Sequence, residues 1–157
     1  MAAPATIHGD IDVNSWFLRI ALLGFIAGAL AVLTFHQVGF WIATQLKLVN
    51  ASFYSMRPVP PFGVPSIVSA AFWGGLWGIA AASLVPRLPG VLKGPLGWVL
   101  FAVIVVDLVN WFVVAPLKGA PIGYGWRAPG VYVVVVVYAF WGFGMWLFYS
   151  VGRRLLR

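Results

Sequence analysis

The chain has no cysteine and no glutamate, and its only acidic residues are Asp10, Asp12 and Asp107. Without thiols there are no disulfides, no thiolate nucleophile and no iron–sulfur ligation. Of two histidines, His8 lies in the N-terminal arm, so His36 has no partner for a bis-histidine haem. One embedded histidine and one embedded aspartate fall short of the three or four ligands of a metal centre. They also supply general acid–base catalysis poorly. No glycine-rich phosphate loop is present, and no serine nucleophile has a plausible base. The residues therefore point to no enzyme.

Charge is the scarcest commodity. Only 8% of residues are charged and 62% are hydrophobic, whereas a soluble domain carries roughly a quarter charged residues. Most of this chain is solvated by lipid. Its net charge of +7 would suggest nucleic acid in a soluble protein. Here the basic residues sit at the ends of apolar runs, where they meet headgroups, and nucleic acid is excluded as a partner.

What is present is four long runs free of Lys, Arg and Glu: Ile20–Leu46, Pro58–Pro86, Gly94–Leu117 and Ala128–Gly152. Each reaches the roughly 20 residues that a membrane-crossing helix needs. The reading is an all-α polytopic membrane four-helix bundle in one transmembrane domain, with spans near 17–46, 66–85, 95–115 and 130–152. Val131 and the Val133–Val137 run suggest a strand in water; in lipid the backbone must satisfy itself, and a helix follows. Residues 1–15 read as a loosely ordered arm, with Asn14 or Ser15 capping the first helix. Asp10 and Asp12 stand where a cleavable signal needs positive charge, so the first span is expected to be retained.

Two small-residue patterns, Gly24-xxx-Gly28 and Gly74-xxx-Gly78, predict close helix–helix approach. The proline-rich stretch 58–65 is expected to be extended or turn-like, lying in the interface or folding back over the bundle. Arg19, Arg87, Lys93, Arg153, Arg154 and Arg157 mark one side. Lys47, Arg57, Lys118 and Arg127 mark the other. Six against four places both termini in the cytoplasm, in a bacterial inner membrane.

The two halves, 17–86 and 94–157, echo each other. A shift of 71 positions carries His36 onto Asp107, Phe40 onto Trp111, and Leu46-Lys47 onto Leu117-Lys118. Each copy continues through a Pro/Gly loop with one arginine to Ala-Phe-Trp-Gly, at Ala71–Gly74 and Ala139–Gly142. This predicts a tandem repeat of a two-helix hairpin about a pseudo-twofold axis along the membrane normal. Each lysine follows its polar residue by eleven positions, about 16 Å of helix. With the lysines at the interface, His36 and Asp107 both fall near the bilayer centre. An ionised carboxylate there costs at least about 2.5 kcal/mol. Asp107 must face inward, find a partner or stay neutral. His36 is the candidate partner, and Asn110, Gln37, Thr34, Ser66 and Ser69 complete a candidate polar cluster.

Thr34-Phe35-His36-Gln37, with Pro61-Phe62-Gly63-Val64-Pro65 leading to Ala71-Phe72-Trp73-Gly74-Gly75-Leu76-Trp77-Gly78, resembles small bacterial four-span membrane proteins. That resemblance implies the fold and brings no activity. Three functions remain. The first is a non-catalytic subunit that meets a membrane-protein partner or its own copy. The second is a small transporter or channel for protons or a polar or anionic solute, using the His36–Asp107 cluster. The third is a subunit that holds a quinone, carotenoid or lipid on its nine tryptophans and twelve phenylalanines.

Overall fold

The computed structural model describes residues 8–60, 62–117 and 119–156, with side chains from Trp16 onward. Among them, four helices are long and apolar enough to cross a membrane: α1 (Trp16–Gln45), α2 (Ser66–Arg87), α3 (Pro95–Leu117) and α4 (Gly130–Leu155). Their bounds fall within three residues of those read from the sequence. The N-terminal arm differs. The described backbone is already helical at His8 and runs without a break into α1, so Asn14 and Ser15 lie inside the helix and not at its start.

Close packing follows the glycines. A Cβ on Gly28 would collide with the carbonyl of Gly74, and one on Gly24 would stand 2.6 Å from the carbonyl of Gly78. Both expected small-residue faces therefore meet each other, and α1 and α2 touch backbone to backbone. α4 packs on α1 and on α3. Gly142 brings it within 2.9 Å, by an added Cβ, of the Val99 Cα. The Trp141 indole donates to the Gly28 carbonyl at 3.1 Å, tying α4 into the α1–α2 seam. Trp77 of α2 and Phe101 of α3 meet at 6.2 Å. Ala27, Ala31, Ala81, Ala102, Trp98 and Met145 fill the centre.

The connection from α1 to α2 folds back as expected. β1 (Pro58–Val59) pairs antiparallel with β2 (Val64–Pro65) around a turn at Gly63. Tyr54 anchors this loop by donating its hydroxyl to the Leu33 carbonyl at 2.8 Å. The connection from α3 to α4 is tighter. Gly123, Tyr124, Gly125 and Trp126 are four consecutive residues with φ between 53° and 73°. Tyr124 and Trp126 occupy this left-handed region at roughly 1–2 kcal/mol each. Trp126 packs edge-on against Trp111 at 5.4 Å.

Candidate functional site

The site is built where the helices depart from α geometry. In α1 a π-helical turn, Val32–His36, ends on His36. In α3 one such turn, Phe101–Val106, ends just before Asp107, and a second, Asn110–Val114, begins at Asn110. A π turn inserts a residue into the hydrogen-bond ladder and turns the side chains that follow; such turns are frequent at functional sites. Gln37 supports the first from within, its amide donating to the Val32 carbonyl at 3.1 Å. The Gln37 side-chain oxygen accepts the Tyr54 backbone N–H at 3.3 Å. One buried amide thus holds both the widened helix and the loop above it.

The α1–α2 contact fixes how deep His36 lies. Gly24 meets Gly78 and Gly28 meets Gly74; two helical turns further out, His36 is level with Ser66, the first residue of α2. α1 then continues for the nine residues Gln37–Gln45, about 14 Å. The midplane position expected from Lys47 is therefore not where His36 sits relative to α2. It stands at the outer end of that helix, because α1 overshoots its neighbour. Asp107 lies in the middle of α3, between Pro95 and Leu117.

His36 borders a small cavity of about 90 Å³ beneath the first outer loop, with Gln37, Ser52, Ser55 and Ser66 on its walls. Its ring stands edge-on to Phe40 at 4.9 Å and 6.3 Å from Tyr138. Its Nδ1 has no hydrogen-bond partner. Asp107 is 0% exposed, and neither carboxyl oxygen has a partner. The two residues are thus not hydrogen-bonded to each other. On the His36 side stands Tyr138 of α4, its ring tilted at 33° to the imidazole. Tyr138 was not among the residues picked out from the sequence. Its signal is a polar atom directly after the Val133–Val137 run and directly before Ala139-Phe-Trp-Gly.

The remaining candidates separate. Asn110 accepts a hydrogen bond from the Tyr124 hydroxyl at 3.4 Å, which ties α3 to the connection between α3 and α4. Beside it, the Trp111 indole N–H is buried without a partner. Ser66 donates to the Ser55 carbonyl at 2.8 Å. Thr34 is exposed and bonds its own helix at Leu30, so it lies outside the cluster, and Ser69 does not line the cavity. Lys47, Arg57 and Arg127 are exposed on the outer loops; Lys118 lies outside the described residues. Among the described residues no three His or Asp side chains converge on a point.

No family model matches the chain, and no curated protein or solved structure matches it either. Its function has to come from its own residues.

Proposed function

We propose that this chain is a proton-conducting or proton-coupled protein of the bacterial inner membrane, with both termini cytoplasmic, working through His36, Tyr138 and Asp107. One observation carries the reading: a carboxyl group in the middle of a transmembrane helix, fully buried, with both oxygens unpartnered. Ionisable residues inside a membrane are expensive and mark ion and proton routes. An unpaired buried polar group costs more than an apolar side chain of similar size. Asp107 therefore needs a reason other than stability. The outer cavity at His36 has room for a few waters and is far smaller than the roughly 300–1,000 Å³ of small-molecule sites. That favours a proton over a larger solute. Tyr138 then relays between imidazole and carboxyl, while Phe101, Trp141 and Met145 close the inner half.

The tandem repeat belongs to the same proposal. A π turn precedes both His36 and Asp107. Ala31 and Ala102, 71 positions apart, are both fully buried. Gly74 packs on Gly28, and Gly142 on Val99, the position 71 residues beyond Gly28.

Proteoliposomes holding a pH-sensitive dye test the reading. Wild type should collapse an imposed pH gradient; Asp107→Asn should abolish the flux, and His36→Ala and Tyr138→Phe should slow it. A wild type that passes no protons at any pH sinks the proposal. If that inert protein purifies with a stable membrane partner, or as a homo-oligomer, the chain is an accessory subunit instead.

A further inference from the structure

At the opposite end of the bundle lies a larger concavity that the proton reading does not use. It measures about 390 Å³ and opens between the α2–α3 turn and the last turns of α4. Lys93 reaches it from the turn, and Arg153 and Arg154 from α4, with the hydroxyls of Ser150 and Tyr149 between them. The Arg153 guanidinium rests over the Tyr149 ring at 5.9 Å, which fixes its direction. Trp98 and Trp146 supply an apolar wall.

Three cations face one cavity, and no carboxylate stands among its described lining residues. Beyond Asp10 and Asp12 the only acidic side chain is Asp107, mid-membrane and unpaired. Interfacial lysines and arginines ordinarily spread outward to anchor a protein. These converge instead, and hydroxyl donors accompany them. Arginine forks bind phosphate oxygens in pairs, and lysine adds a point charge. The volume lies in the range of small-ligand sites, roughly 300–1,000 Å³. The position, where α4 ends and α3 begins, is the headgroup level of a bilayer.

We infer that this concavity binds a phosphate ester through Arg153, Arg154, Lys93 and the Ser150 hydroxyl, and that an anionic phospholipid headgroup fills it in the membrane. The apolar tryptophan wall then lies along the glycerol and first methylenes of the lipid. The inference does not depend on proton movement.

Native mass spectrometry of the whole protein in mild detergent, titrated with phosphatidylglycerol or phosphatidylcholine, is the test. Wild type should retain one phosphatidylglycerol in a saturable manner and hold phosphatidylcholine far more weakly. Each single change, Lys93→Gln, Arg153→Gln or Arg154→Gln, should weaken phosphatidylglycerol about fivefold, and the triple change on the order of a hundredfold. Arg57→Gln on the opposite face should leave binding unchanged, and the single variants keep the test open if the triple variant fails to fold. Equal retention of both lipids, or unchanged retention in all three single variants, overturns the inference. Tight binding of inorganic phosphate alone, with no preference between the lipids, overturns the lipid as occupant.

Discussion

At the scale of single residues, Asp107 separates two roles that predict opposite stabilities. If the carboxyl were structural glue, removing it would loosen the bundle. With both oxygens unpartnered and no exposed surface, replacing it by an apolar residue of similar size removes an unsatisfied group, at a gain of about 1–3 kcal/mol. Asp107→Leu should therefore raise the thermal unfolding midpoint in detergent while eliminating proton flux, a trade seen where function holds a group against stability. A lowered midpoint would return Asp107 to a packing role. Gln37 behaves in the reverse way. It holds Val32 and Tyr54 together, so Gln37→Leu should cost about 1–2 kcal/mol. Limited proteolysis should then cut faster within the first outer loop. His36 and Asp107 were legible as embedded polar residues because nothing else ionisable interrupts their runs. Tyr138 was not, since a tyrosine among valines looks like packing until the fold sets it beside His36.

Elements tell a second story. The spans could be read directly, because lipid demands an unbroken apolar run and the chain marks each end with a basic residue. The glycine seams could be read too, and two changes separate their causes. A Cβ on Gly28 would meet the Gly74 carbonyl, so Gly28→Ala should force α1 and α2 apart and cost about 1–3 kcal/mol. Gly119 ends α3 at φ 76° with open space around it, and Gly119→Ala should cost only about 1–2 kcal/mol of backbone strain. Comparing the two unfolding midpoints checks whether packing or conformation dominates. The π turns were illegible, since no residue type specifies them; Val32–His36 and Phe101–Val106 both lie against α4. The depth of His36 was misread for a related reason. Lys47 marks the end of α1, but α1 has 30 residues and α2 has 22, so a lysine on the longer helix is a poor gauge of the shorter one.

For the molecule as a whole, those unequal lengths make the bundle lopsided. The small cavity lies under the connection from α1 to α2 and the basic concavity opens at the other end, while alanine, tryptophan and methionine pack the stretch between them. Water should therefore reach His36 from the side of the α1–α2 connection only. The absence of cysteine makes this measurable, because any introduced thiol is the only one. Ser66→Cys sits on the cavity wall and should react in intact cells with a small, membrane-impermeant thiol reagent added outside. Ala81→Cys, buried about four turns deeper near Gly24 and Gly78, should stay unlabelled from either face. Val91→Cys, exposed in the α2–α3 turn, should react only after the cells are opened. Labelling of Val91→Cys from outside would invert the orientation drawn from six basic residues against four. Labelling of Ala81→Cys would mean that the core transmits water.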